Sequence, residues 1–431
     1  MLHRLLLPVC LLTLLWAVPA GAQLTVDIYG PGQNKVTLAI LPARSVSGGA
    51  LPAVAAKFEE QVRQDLSFLP FIKVVKTSEI LGGDPSRGLQ AQDIDFRPLI
   101  LGRVDLVMTS GWEGGDIQAR VFETLQSRRL VGKAYRGLDD RNVGKAADAF
   151  CAELMRALTG RSGFFNTTIA FVRKMGESSE LYTISPQGRD LTRITNVGGF
   201  NLSPEWSKDG RRILYTHVGE REHSLGVWDK TTGRSAMYRF PGHTVISPAF
   251  MHDGAATVVL NMTGSPDVWL LDKAYKPVRI LVGGRAIEVS QTFDSKGLRM
   301  AYVSDRLGNP HIFAMDLGTG QETRVTYEGS YNTNPCLSPD GRYVAFSRQM
   351  SGGHRIFVHD LMTGQERQIT FGPGSDEDPA FGPDGYFVAF CSSRGGGYKL
   401  YLTTRHGDDP MLIPTGPGEA SMPAWDTSRT Q

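Results

Sequence analysis

Several features are scarce in this sequence, and each scarcity excludes a class of protein. Only four cysteines occur among 431 residues, and the three beyond residue 22 are too few and too irregularly spaced for a disulfide scaffold or a metal-ligand set. The formal net charge is +2, which excludes the strong basic field that nucleic-acid binding requires. No apolar run after residue 22 is long enough to span a bilayer. We therefore expect buried free thiols, no metal, no cofactor and no nucleic-acid partner.

The first 22 residues have the features of a secretory signal peptide. His3 and Arg4 form a short basic region, and a leucine-rich run from Leu5 to Val18 follows it. The small residues that end at Ala22 form a cleavage site. We expect export and cleavage after Ala22; an uncleaved anchor is the alternative interpretation.

Residues 23–34 form a short segment of their own. Three apolar residues alternate with polar ones before a Gly-Pro-Gly break. The segment is either an edge strand of the next domain or a detachable strand that pairs with a partner's sheet. Its candidate partner-binding residues are Gln23, Leu24, Thr25, Val26, Asp27, Ile28 and Tyr29.

Residues 35–162 show the pattern of a compact α/β domain. A buried-type strand at 36–41 precedes a run with apolar residues at helical spacing, from Leu51 to Leu69. Further strands are predicted at 71–75, 105–109, 117–122 and 130–135. A last helix ends at Gly160. The predicted order is β-α-β-(α)-β-β-β-α.

A repeated turn organises residues 163–431. Asp-Gly pairs recur at 209–210, 253–254, 340–341 and 384–385, with Lys296-Gly297 in the slot between them. The glycines lie 44, 43, 44 and 44 residues apart. A fixed period of this length is typical of repeats in which each unit is one small sheet. The aspartates are therefore interpreted as turn formers.

The rest of the repeat predicts four strands in each unit. A proline lies about six residues before most of the turn glycines, as at Pro204, Pro248, Pro335 and Pro379. The region opens with a sequence that matches a second strand, at 168–172, and ends at Trp425 in one that matches a first strand. The predicted fold is an N-terminal α/β domain followed by a C-terminal six-bladed β-propeller, which the C-terminal strand closes.

The signal peptide, the small α/β domain and the Pro-x-Trp-Ser-x-Asp-Gly type of repeat together resemble the TolB family, the periplasmic component of the Tol–Pal system. The resemblance covers the whole mature chain. It implies a monomeric, non-catalytic periplasmic adaptor. Such proteins bind the peptidoglycan-associated lipoprotein Pal at the propeller mouth and the inner-membrane protein TolA through the mature N-terminus. Other envelope proteins and imported bacteriocins are further implied partners, and outer-membrane integrity and cell division are the implied roles.

The predicted Pal-binding residues lie on the loops that enter the innermost strands, at one end of the propeller channel. The resemblance and the mixed polarity of these loops together suggest a protein-binding rim. Five acids on these loops lie outside the repeat and are therefore interpreted as candidates for recognition, namely Glu288, Asp376, Glu377, Asp378 and Glu419. The full candidate set is Asn201, His243, Thr244, Ser247, Glu288, Val289, Tyr331, Asn332, Thr333, Asp376, Glu377 and Glu419.

An alternative function is a periplasmic propeller enzyme, such as a lyase, lactonase or glycosidase, acting in the central channel. It would require histidines or paired carboxylates that converge on the channel. Only His243 and His311 are candidates, and the repeat places His311 on a third strand. A G-x-S-x-G nucleophile motif is absent from the sequence.

Overall fold

The computed structural model describes residues 35–220, 222–240 and 243–428. The predicted signal peptide and the segment 23–34 lie outside the described residues. None of the helices in the described ranges combines the length and the hydropathy needed to cross a membrane. Cys151 and Cys391 are buried, Cys336 is half-buried, and all three are free thiols, as expected.

The first part of the described chain is an α/β unit with one six-stranded sheet. The strands lie in the order β3-β1-β4-β5-β6, and β2 pairs with β4. The pairings of β1 with β3 and β4 are parallel, and those of β5 are antiparallel. The strands are β1 (Val36–Ile40), β2 (Arg44–Ser45), β3 (Ile72–Val75), β4 (Leu106–Glu113), β5 (Asp116–Glu123) and β6 (Arg128–Tyr135). The helices are α1 (Ala53–Ser67), α2 (Arg97–Leu101) and α3 (Val143–Thr159), with 3-10 turns at Thr77–Glu79 and Ala91–Asp93.

Helices α1 and α3 pack together because each presents an apolar stripe to the sheet. Phe58 of α1 and Phe150 of α3 are fully buried, and their ring centroids lie 6.1 Å apart. Gly160 ends α3 in the left-handed conformation, at φ 73°. The predicted order of elements is therefore confirmed; the short strand β2 was not predicted.

The rest of the described chain consists of strands in sheets whose pairings are antiparallel, apart from the parallel contact between β8 and β10. One sheet has eight strands, namely β7 (Ile169–Met175), β8 (Ser178–Ile184), β9 (Thr192–Arg193), β10 (Phe200–Trp206), β11 (Arg212–Val218), β12 (His223–Asp229), β13 (Arg234–Arg239) and β30 (Glu419–Trp425). Four more sheets have four strands each. They are β14 (Val245–Phe250), β15 (Ala256–Leu260), β16 (Asp267–Leu271) and β17 (Pro277–Val282); β18 (Glu288–Phe293), β19 (Arg299–Ser304), β20 (His311–Asp316) and β21 (Glu322–Arg324); β22 (Asn332–Leu337), β23 (Tyr343–Met350), β24 (Gly353–Asp360) and β25 (Glu366–Gln368); and β26 (Asp376–Phe381), β27 (Phe387–Ser392), β28 (Lys399–Thr404) and β29 (Met411–Leu412).

The repeated turn joins the first and second strands of each unit, as the sequence predicts. Gly341 takes φ 71°, which only glycine adopts without strain. Asp340 accepts hydrogen bonds from the hydroxyl of Ser338 at 2.6 Å and from the backbone N–H of Arg342 at 3.1 Å. These carboxylates are therefore turn formers.

The last strand pairs with the first strand of the repeat region. β30 lies antiparallel to β7, with Ser421 opposite Val172 and Ala424 opposite Ala170. The indole Nε1 of Trp425 donates to the hydroxyl of Thr167 at 2.9 Å, and both side chains are buried. One sheet thus joins the two ends of the repeat region.

The α/β unit packs against the end of the propeller strands that carries the repeated turns. Phe164 lies 4.4 Å from Phe387 between ring centroids, and Phe71 lies 6.0 Å from Tyr386 in an edge-to-face contact. All four rings belong to one hydrophobic cluster that extends from α1 and α3 into the propeller sheets. The rim predicted from the sequence lies at the opposite end of these strands.

Replacing Trp425 should test how strongly the C-terminal strand holds this sheet. We expect Trp425→Ala to lower the free energy of unfolding by about 3–5 kcal/mol, because it leaves a cavity against Phe164 and removes the indole donor to the Thr167 hydroxyl. Trp425→Phe keeps most of the buried ring and loses only the hydrogen bond, so about 1 kcal/mol is expected. Urea denaturation followed by circular dichroism measures both. An alanine variant within about 1 kcal/mol of the parent would contradict a stabilising role for this strand.

Candidate partner-binding rim

A β-bulge interrupts every innermost strand at the repeat proline and the residue before it. The register between first and second strands shifts there in all six cases. The residue before the proline position takes a positive φ, between 48° and 57°. We call these residues the collar: Ser203, Ser247, Ser290, Asn334, Asp378 and Met422. The bulge turns the collar toward a central cavity of about 180 Å³, which all six residues line.

Hydrogen bonds link part of the collar from one sheet to the next. The amide Nδ2 of Asn334 donates to Oδ1 of Asp378 at 2.6 Å, and the N–H of Met422 donates to Oδ2 at 3.3 Å. The thiol of Cys391 donates to the same Oδ2 at 3.4 Å. Burial, reinforced by the nearby charge of Glu377, raises the pKa of Asp378 to about 6. The collar therefore carries a carboxyl group that changes charge near neutral pH.

In the described ranges no histidine lines the central cavity, and its carboxylates are Glu205 and Asp378. His311 lies on β20, a third strand as predicted, and its Nδ1 lies 3.2 Å from the Thr326 hydroxyl in a buried position. Burial lowers its pKa, and Arg324 adds to this effect. Within the described ranges, no group of three or more His, Cys, Asp or Glu side chains is placed to hold a metal ion.

Eight of the twelve predicted rim residues reach the surface. The exposed ones are Thr244, Tyr331 and Glu419, and the half-buried ones are His243, Ser247, Val289, Thr333 and Glu377. They come from the starts of five innermost strands, at the end of the sheets away from the α/β unit. The structure therefore brings these eight residues to one end of the cavity.

The other four predicted residues are buried, which corrects the expectation from sequence. Asn201, Glu288, Asn332 and Asp376 are 0–2% exposed. All four occupy one repeat position, three residues before the proline position, so the interpretation of Glu288 and Asp376 as acids outside the repeat was wrong. Their side chains are engaged inside the sheets and are not available at the surface.

Arginines at the end of the second strands hold the two buried acids. Arg394 donates to Oδ1 of Asp376 at 2.8 Å, and Arg306 donates to Oε1 of Glu288 at 3.0 Å. Ser304, two residues before Arg306, also donates to Glu288, at 3.1 Å. The Ser-x-Arg pattern at 304–306 and 392–394 is the sequence signal that could have identified these pairs.

Glu377 is the centre of a small polar cluster on the rim. Its Oε1 accepts hydrogen bonds from the hydroxyls of Tyr398 at 2.6 Å and Ser375 at 2.8 Å, and His354 Nδ1 lies 3.6 Å away. Burial and the bond to Glu377 raise the pKa of Tyr398, so the tyrosine remains a donor. Tyr331 packs edge-on to His354, with ring centroids 6.2 Å apart. His354 and Tyr398 were not predicted, because they lie beyond the repeat pattern, at the start of β24 and directly before β28.

The rim has an apolar half and a polar half. The six residues that precede the collar in sequence are all half-buried and occupy one repeat position. Going around the ring, they are Leu202, Ile246, Val289, Thr333, Glu377 and Ser421. A partner on this surface thus meets three aliphatic side chains on one side, and two hydroxyls and a carboxylate on the other.

Comparison with known proteins places this architecture in a family. The family model described as "TolB beta propeller domain" matches residues 155–429. The chain is 44% identical over 296 residues to the Tol-Pal system protein TolB of Nitratidesulfovibrio vulgaris, covering 67% of each chain. It is 32% identical to the Tol-Pal system protein TolB of Desulfosudis oleivorans, covering 65% of each. The crystal structure of TolB from Acinetobacter baumannii has the same fold, with a TM-score of 0.78 at 23% identity over 92% of this chain and 98% of that one. The chain therefore belongs to the TolB family.

Proposed function

We propose that this protein is a non-catalytic component of a Tol–Pal system that acts in the periplasm as an adaptor with two separate docking surfaces. The observation that carries the proposal is its 44% identity to a relative named a Tol-Pal system protein. Outer-membrane integrity, envelope invagination at cell division and bacteriocin import are the roles that such an adaptor would serve. The leader at residues 1–22, with cleavage after Ala22, supports export.

We infer that the propeller has six blades. The eight-stranded sheet divides naturally into two blades, because β8 and β10 share only the single register pair Phe200–Ser179. The innermost strands contact one another in the cycle β10, β14, β18, β22, β26, β30 and back to β10. On this inference the α/β domain spans 35–162 and the propeller spans 163–431, with β30 completing the first blade.

The rim is the proposed site for a Pal-like lipoprotein. Its half-buried ring offers aliphatic contacts beside hydrogen-bonding groups, which is the composition of many protein interfaces. The four buried residues are withdrawn from the contact set, and His354 and Tyr398 are added to it. The α/β unit does not compete for this surface, because it packs at the other end of the strands.

The segment 23–34 is the proposed site for a TolA-like protein, through the residues from Gln23 to Tyr29. It precedes β1, whose first residue Val36 donates to the carbonyl of Phe71 at 2.9 Å. Phe71 contacts Tyr386 at the turn end of the propeller. The segment therefore joins the described chain far from the rim, which supports two independent docking surfaces.

Reversing one rim charge should separate recognition from stability. We expect Glu377→Lys to weaken binding of the soluble domain of a Pal-like lipoprotein at least about tenfold, roughly 1.4 kcal/mol, because the carboxylate is partly exposed at the centre of the rim cluster. Its melting temperature should stay within about 3 °C of the parent. Calorimetry measures both quantities.

The neighbouring residue provides the matched control. Asp376→Asn removes the buried carboxylate that pairs with the half-buried Arg394 and should cost about 3–5 kcal/mol of stability. Any loss of binding in that variant should disappear at temperatures where it is fully folded. Unchanged affinity in Glu377→Lys would move the Pal site away from this end of the propeller.

Deleting residues 23–34 should test the second surface. We expect the mature chain that begins at Lys35 to lose binding to the C-terminal domain of a TolA-like protein and to keep its affinity for the Pal-like protein. Its melting temperature should match that of the parent. Surface plasmon resonance with both partners on separate channels measures the two affinities. Simultaneous loss of both interactions in a folded protein would contradict the two-surface proposal.

A further inference from the structure

A cluster of three charged side chains connects the two parts of the molecule. Arg189 lies in the turn between β8 and β9 and reaches between helices α1 and α3. Its Nη2 lies 2.5 Å from Oδ1 of Asp148 on α3 and 3.1 Å from Oδ1 of Asp65 on α1. We call Asp65, Asp148 and Arg189 the interdomain triad.

Asp65 is the buried member of the triad and is only partly satisfied, whereas the side chains of Asp148 and Arg189 are half-buried. Asp65 is 1% exposed, and its Oδ2 has no hydrogen-bond partner among the described residues. Gln61, one turn earlier on α1, donates to its Oδ1 at 3.1 Å. The amide of Gln187, in the turn that carries Arg189, is also buried without a partner in the described part of the chain. Unpaired buried polar groups are costly, so this contact is not optimised for stability alone.

The charges do not balance when both carboxylates are ionised. Two carboxylates then share one guanidinium. The thiol of Cys151 on α3 lies near the same three charges, and it brings no positive charge that could balance them. Asp190, next to Arg189, is the other charged group acting on the guanidinium. Burial raises the pKa of Asp65 to about 7, and the Asp148 carboxylate adds to this, while Arg189 opposes it.

We propose that the interdomain triad is a proton-controlled contact between the α/β domain and the propeller, tight when Asp65 holds a proton and weakened when Asp65 ionises. With one proton present, Arg189 neutralises Asp148, and the Asp65 carboxyl group is uncharged. Without it, the interface contains one uncompensated negative charge. The proton exchanges with the surrounding solvent, and the interdomain triad requires no other ligand for this response.

The direction of the pH effect follows from linkage. The pKa of Asp65 is about 7 in the closed form and near the ordinary value of 3.8 once the carboxyl reaches water. The closed form therefore binds more protons between these values. The contribution of Asp65 to closure is fully present below about pH 4 and is lost as the pH rises toward 7.

Hydrogen–deuterium exchange of the full mature chain tests the proposal. In peptides covering 61–67, 145–152 and 185–190, the opening constant, corrected for intrinsic exchange, should rise about tenfold for each pH unit between pH 5 and 6.5. It should level off above about pH 7. Asp65→Asn should remove this dependence and keep the interface at least as protected at pH 7.5 as the parent is at pH 5.

Two further variants keep the test decisive. Asp148→Asn leaves Asp65 as the one carboxylate beside Arg189, so Asp65 should ionise more easily and the rise in the opening constant should end at a lower pH than in the parent. This comparison remains possible even if Asp65→Asn does not fold. Asp140→Asn, on an exposed side chain, should reproduce the parent profile. A flat parent profile between pH 5 and 7, or the same slope in Asp65→Asn, would overturn the proposal.

Discussion

The bulge at the proline position of each innermost strand determines whether a neighbouring side chain is buried in the sheet, lies on the rim or lines the cavity. It inserts one residue into a strand that otherwise alternates between two faces, so three consecutive positions take three different environments. The first side chain is buried in the sheet, the second lies at the mouth, and the third belongs to the collar around the cavity. Asp376, Glu377 and Asp378 show the consequence: three consecutive acids are respectively paired inside the sheet, presented on the rim and hydrogen-bonded in the collar.

The buried position is stabilised by arginines that serve two purposes. Arg306 and Arg394 bond the buried acids and also stack over the aromatic ring of the third strand, Phe313 at 4.8 Å and Tyr401 at 5.1 Å. Arg348 does the same with Phe357 at 4.3 Å, where the buried partner is an asparagine. The attraction within a buried ion pair barely offsets the cost of removing both charges from water. Stacking of the guanidinium on the ring and exclusion of water therefore supply part of the stabilisation. The acids of these pairs are structural for that reason.

Local chemistry explains which parts of the molecule could be predicted from the sequence. The Asp-Gly turns, the strands after them and the stop of α3 at Gly160 each depend on residues within a few positions, and all are observed. The burial of Glu288 depends on Arg306, which lies in the turn after the neighbouring strand β19, and required knowledge of the register. His354 and Tyr398 lie at or next to the start of a third strand, where the sequence varies between repeats. No local pattern links Asp65 to Arg189, since their contact forms only when two separate units pack.

Two carboxyl groups, one at the interdomain contact and one in the collar, link the stability of the molecule to pH. Asp65 at the interdomain contact and Asp378 in the collar both have a raised pKa, about 7 and about 6, because burial disfavours their charged forms. Each stabilises the folded chain most when protonated, and the contribution is lost as the pH rises through these values. Ion-paired carboxylates such as Asp360, whose pKa the guanidinium of Arg342 lowers, act in the opposite direction and lose their contribution only below about pH 4. Between about pH 4 and pH 6, Asp65 and Asp378 are therefore both protonated while the ion pairs remain charged. At the upper end of this range the two raised carboxyl groups lose their protons.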